Sequence, residues 1–95
     1  VAAYLKTKSF KILKTRWRTT YAEIDLVAES GRGEIWIFEV KTLSHFDFMT
    51  VRVSRRQKER LKRAFLFVQS KTTRPVRLAL AFVNRKREVM VFEDF

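Results

Sequence analysis

From residue 23 to residue 28 the chain alternates. Glu23 and Asp25 fall on one side, and Ile24, Leu26 and Ala28 on the other, the period of two that a β-strand imposes. This predicts a strand over 21–28. Ser30-Gly31-Arg32-Gly33 follows as a turn with two residues that tolerate positive φ. Residues 34–42 then form the second strand of a hairpin. Its Ile35-Trp36-Ile37-Phe38 run is apolar on both faces, as in a central strand covered from both sides. A looser alternation over 10–16, with Phe10 and Ile12 set against Lys11 and Leu13 out of step, predicts a short first strand.

The period then changes. Ser54 is placed to cap a helix, with Gln57 at the reciprocal capping position. Gln57, Leu61, Ala64, Phe65 and Val68 make one stripe of a helix that runs to about residue 69. Arg55, Arg56, Glu59, Arg60, Lys62 and Arg63 cover much of the rest. Arg74-Pro75 opens a last hairpin, with strands over 76–83 and 88–92 and a turn at Asn84-Arg85-Lys86-Arg87. Residues 2–5 read as the end of a helix that begins upstream of Val1. The order is helix, three strands, helix, two strands. It predicts an α+β or α/β three-layer domain, with a mixed sheet between helices.

Size and charge narrow the function. Ninety-five residues suffice for one core and one domain. A net charge of +11 favours a polyanion: DNA or RNA first, an anionic membrane after them. Cysteine is absent, which excludes disulfides and cysteine-ligated zinc and fits a reducing cytoplasm. A single histidine, His45, excludes a histidine-rich metal site. No apolar run approaches the roughly 18–20 residues of a membrane span, and no signal-peptide pattern is present.

Against this basic background the acidic residues cluster. Six of the ten lie between Glu23 and Asp47, a stretch with only two of the twenty-one basic residues. Glu39 and Lys41 share a strand face, ~6.5–7 Å apart. Val40 between them turns its side chain to the core, and its carbonyl remains available. Asp25, from the preceding strand, can approach Glu39. Two carboxylates this close repel, and a hard dication such as Mg²⁺ or Mn²⁺ would neutralise them. Such an ion would activate water at a phosphodiester, with Lys41 holding the water or neutralising developing charge. The plainer alternative is a set of cross-strand ion pairs on a solvated face. Glu23 fits charge tuning or simple solvation.

The blocks Ala2-Ala3-Tyr4-Leu5, Phe10-Lys11-Ile12-Leu13, Glu23-Ile24-Asp25-Leu26-Val27-Ala28 and Phe38-Glu39-Val40-Lys41-Thr42 resemble the YraN-like family of predicted endonucleases. That family belongs to the PD-(D/E)XK superfamily, alongside the archaeal Holliday-junction resolvases. The resemblance implies a single restriction-endonuclease-like nuclease domain over 1–95, with its N-terminal helix truncated. It implies Asp25, Glu39 and the Val40 carbonyl as ligands of Mg²⁺ or Mn²⁺, and Lys41 as the catalytic lysine. The implied activity is metal-dependent hydrolysis of DNA, branched DNA included, in the cytoplasm. The alternative is a nucleic-acid-binding protein, for DNA or RNA, that keeps the fold and cleaves nothing. Four positions depart from the family pattern. Ala22 replaces a glycine, and a Gly-Glu pair would fall before Val1. Gln57 stands where lysine is frequent, and Ala79 where an aspartate follows Arg77 by two. Gln57 either binds a phosphate or a water in the site, or only completes the cap on Ser54.

Three basic groups surround the acidic centre, over 6–18, 52–63 and 85–87. Arg16, Trp17 and Arg18 could stack a base, an indole between two guanidinium groups; otherwise Trp17 packs on the core. Arg52, Arg55 and Arg56 are candidates for phosphate contacts, or solvated charges only. The segment over 43–51, with His45, Phe46, Phe48 and Met49, is expected to dock a second copy of the chain. Folding onto the core or wedging into a distorted duplex are its other uses.

Overall fold

The computed structural model describes residues 1–20, 23–42 and 54–93. Expectations placed on Tyr21, Ala22, His45, Arg52 and the 43–51 segment lie outside the described residues. Seven elements follow in the predicted order: α1 (Ala2–Thr7), β1 (Lys11–Arg18), β2 (Glu23–Glu29), β3 (Ile35–Thr42), α2 (Arg55–Gln69), β4 (Val76–Val83) and β5 (Val89–Phe92). The strands form one five-stranded sheet in sequence order. Neighbours are antiparallel except β3 and β4, which run parallel from Ile35↔Val76 to Thr42↔Val83 with α2 as the crossover.

The two-sided apolar run of β3 explains its central place. Phe38 joins Leu5 of α1, Leu26, Ala28, Ala79 and Ala81 in one core, with Trp36 and Val40 packed against it. Ile35 and Ile37 point the other way, into a second core with Ile24, Val27 and the α2 residues Ala64 and Val68. The alternation puts Ile24 on one side with Leu26 and Ala28, but it lies opposite them across the irregular residue Asp25. Leu61 extends that side with Leu80 and Phe82. The sheet therefore lies between α1 and α2, an α/β three-layer arrangement consistent with a restriction-endonuclease-like core. Each fully buried Leu, Ile or Phe here is worth about 1.5–3 kcal/mol of transfer free energy. Among the described residues no helix is long and apolar enough to cross a membrane.

α2 starts where its cap predicts. Ser54 Oγ accepts the Gln57 N–H and Gln57 Oε1 accepts the Ser54 N–H, both at 3.2 Å. The last turn is held by Asn84, whose Oδ1 accepts the N–H groups of Lys86 and Glu88 at 3.0 Å each. Ala79 is fully buried in the α1-side core. Arg77, without an aspartate two residues on, finds other partners. It donates to Glu34 and Glu93, and its guanidinium carbon lies 5.2 Å from the centre of the Trp36 ring. Partial burial pushes the Glu34 carboxyl up, but the hydrogen bonds from Arg77 and Trp36 outweigh it and hold it below its ordinary range.

β1 is longer than its pattern predicts, and irregular. Its register against β2 shifts between Ile12 and Lys14. Arg16 adopts φ +47°, a left-handed conformation costing a non-glycine residue about 1–2 kcal/mol. That turn of the backbone breaks the strand's alternation, and Trp17 packs against the α2-side core.

Candidate active site

The β2–β3 ladder runs from Glu29↔Ile35 to Leu26↔Phe38 and stops there. Asp25, the next residue of β2, has no register partner in either neighbouring strand. In the β1 register the residue opposite would be Arg16, the one in the left-handed conformation. In place of a ladder bond, Asp25 Oδ2 accepts the Val40 N–H at 2.8 Å. The two strands thus part at Asp25, and a side chain bridges the opening. β3 itself stays in the sheet there, because its pairing with β4 continues through Thr42.

This opening gathers the charged groups. Glu39 is only 6% exposed. Lys41 Nζ lies 4.0 Å from Glu39 Oε1. The Arg60 guanidinium of α2 donates to the same oxygen. Burial pushes the Glu39 carboxyl above its ordinary range, and the Asp25 charge and a hydrogen bond between the two carboxyls push the same way. Arg60 and Lys41 pull it down without cancelling the rise. An extended residue directs its N–H and C=O to the same strand edge. Val40 gives its N–H to Asp25, so its carbonyl also lies toward the parted β2 edge.

Asp25, Val40, Glu39 and Lys41 are therefore brought together, as their spacing on the hairpin predicts. Gln57 is half-buried and its amide oxygen is engaged at the Ser54 cap. Arg16 and Arg18 are exposed on β1, Arg18 3.7 Å from Glu23. Trp17 meets Phe67 edge-on with ring centres 5.5 Å apart, and Lys14 Nζ lies 4.9 Å from its ring centre. Arg55 and Arg56 are exposed in the first turn of α2, Arg55 3.6 Å from Glu59.

Arg60 is the participant that sequence pattern missed. It reads as part of the solvated face of α2. A signal was present: it lies three residues after Gln57 and four before the buried Ala64, at the margin of the apolar stripe.

The donor set can be tested against a metal ion. Among the described residues no group of three or more His, Cys, Asp or Glu side chains is suited to one. Two adjoining carboxylates and a peptide carbonyl are all hard oxygen donors. They suit Mg²⁺ or Mn²⁺, which retain water and bind phosphate oxygens at their remaining positions. Glu39 is raised first by burial and then by the Asp25 charge, and its two cationic neighbours do not cancel that rise.

A mixed sheet between helices, with paired carboxylates and a lysine where its central hairpin opens, defines a small α/β protein built around an acidic centre in a basic surface. The profile of uncharacterised protein family UPF0102 matches residues 1–91, and the chain belongs to this family. It is 43% identical over 60 residues to a UPF0102 protein of Rhodopseudomonas palustris (strain BisA53), a stretch covering 63% of this chain and 45% of that one. A UPF0102 protein of Thermotoga petrophila is 38% identical over 77 residues, 79% of this chain and 70% of its own. One from Thermodesulfovibrio yellowstonii is 33% identical over 87 residues, 88% of this chain and 78% of its own. The chain thus spans less than half of the Rhodopseudomonas relative and more than two thirds of the other two.

Proposed function

We propose that this protein is a nuclease that hydrolyses phosphodiester bonds of DNA with Mg²⁺ or Mn²⁺. The observation that carries the reading is the meeting of Asp25 and Glu39 beside Lys41, at the point where β2 and β3 part. Asp25 and Glu39 would hold the metal, with the Val40 carbonyl as third donor. When bound, the ion supplies Lewis acidity toward the phosphoryl oxygen and lowers the pKa of a water. Asp25 keeps one oxygen on the Val40 N–H, which fixes the direction of the other. Lys41 would orient the water or balance charge that develops on the phosphate. Arg55 and Arg56 would meet flanking phosphates, which supplies affinity and register without sequence information.

A second reading has its own observation. The chain supplies Glu39 with a cation of its own, the Arg60 guanidinium. A protein that binds nucleic acid and cleaves nothing would look like this. One experiment separates the two. Purified protein is incubated with junction, duplex and single-stranded DNA and with RNA, in Mg²⁺, Mn²⁺ or chelator. Cleavage abolished by Asp25→Ala and Lys41→Ala, with binding retained, supports the nuclease. Steeply salt-dependent binding with no cleavage under any metal supports the binding protein.

A further inference from the structure

We propose that Arg60 is an internal counter-cation, which a divalent ion displaces from Glu39 and which then grips the phosphodiester. The inference rests on the metal-dependent reading above. The guanidinium sits on Glu39 Oε1, one of the oxygens a metal ion would take. A purely structural buried ion pair satisfies its remaining donors. This one does not: Arg60 Nε is buried and finds no acceptor among the described residues. The side chain is still 40% exposed, so it has a way out. The helix under it need not move, because Leu61 and Ala64 hold α2 in the core.

The destination is also on the helix. Arg56, Arg60 and Arg63 follow at spacings of four and three, one row of guanidinium groups along α2. A guanidinium released from a carboxylate beside the metal site has five donors suited to phosphate oxygens. Cation binding and phosphate binding are then coupled through one side chain, which serves whichever anion is uncompensated. Without metal, Arg60 offsets part of the Glu39 charge. With metal, the carboxylates are neutralised and the arginine is free for substrate.

The test begins with the unaltered protein. Arginine side-chain ¹⁵N NMR should show the Arg60 Nε–H protected from solvent in chelator. Saturating Mg²⁺ should shift that signal and open it to solvent exchange. Calorimetric titration with Mn²⁺ should give Arg60→Met an affinity about tenfold tighter than wild type, since a contacting like charge is gone. Arg63→Met should change it far less. A short phosphorothioate oligonucleotide should bind wild type more tightly in Mg²⁺ than in chelator, and Arg60→Met should lose most of that gain. An Arg60 signal unmoved by Mg²⁺ overturns the inference even if the variant fails to fold. Mn²⁺ binding that requires Asp25 and Glu39 but ignores Arg60 overturns it alone. No Mn²⁺ binding by any form removes the metal site and the inference together.

Discussion

The Asp25 carboxylate accepts the Val40 N–H at 2.8 Å, a bond that replaces the ladder between β2 and β3 where the two strands separate. One oxygen of Asp25 is thereby a structural acceptor, and the carboxyl as a whole is an electrostatic neighbour of Glu39. These two roles separate under mutation. Asp25→Asn keeps an acceptor for Val40 and removes the charge. Asp25→Ala leaves the half-buried N–H unpaired, which costs about 1–3 kcal/mol. In chelator, Asp25→Asn should match or exceed wild-type stability, and Asp25→Ala should fall below Asp25→Asn by that amount. Urea denaturation measures the difference, and both variants should lose Mn²⁺ binding.

Glu39 gives a pH dependence of defined sign. Burial and Asp25 raise its carboxyl in the folded chain. Folding therefore favours the protonated form. That contribution to stability is full below the unfolded chain's value and declines as pH rises through the raised folded value. Glu39→Gln has no such decline. Without metal, the stability of Glu39→Gln relative to wild type should grow across this window and stay level on either side. Denaturant midpoints of both proteins over an acid-to-neutral pH series provide the check.

The α2 cap is a reciprocal pair. Ser54→Ala should lower stability by about 1 kcal/mol. For a domain of this size that is a fall of about 4–8 °C in Tm. Gln57→Ala should cost less, and the double variant less than the sum, because each bond positions the other. Thermal melts of the three variants decide it. Independent effects that simply add would contradict the reciprocal cap.

Trp17 is half-buried against Phe67 and the α2-side core. Trp17→Ala should destabilise by roughly 2–4 kcal/mol, the lower part of the range for emptying an aromatic site and beyond. Trp17→Phe should recover most of it. Reduced nucleic-acid binding at unchanged stability would instead put the indole on the substrate. Fluorescence-monitored unfolding, run beside a binding titration, distinguishes these outcomes.

Much of this architecture was legible in the residues. The two-sided apolar run of β3 and the Ser54–Gln57 spacing give the central strand and the start of α2. The alternation of β2 gives the strand of the hairpin but not its faces, because Ile24 packs opposite Leu26 and Ala28. The meeting of Asp25 with Glu39 follows from their places on that hairpin. Two features were not legible, for different physical reasons. A left-handed arginine carries no signature in its residue type, since Gly, Asn or Asp usually take that conformation. The kink at Arg16 therefore could not be read from β1, although packing of Trp17 on the core is one of the two readings its sequence allows. Arg60 was hidden because a strip of charges on a helix is the same whether it faces water or a carboxylate on another element. Only the parallel crossover from β3 through α2 to β4 decides which.

The margins of the sheet have a consequence for the molecule's behaviour in concentrated solution. On one side, β1 presents Lys11, Lys14, Arg16 and Arg18, a register slip and a kinked backbone; on the other, β5 offers only four residues. The β1 rim is charged and kinked and the β5 rim, though apolar, is short, so neither is a long flat template onto which a stray strand would zip. Neighbours brought shoulder to shoulder in a crowded solution therefore meet no long flat border on which to fuse.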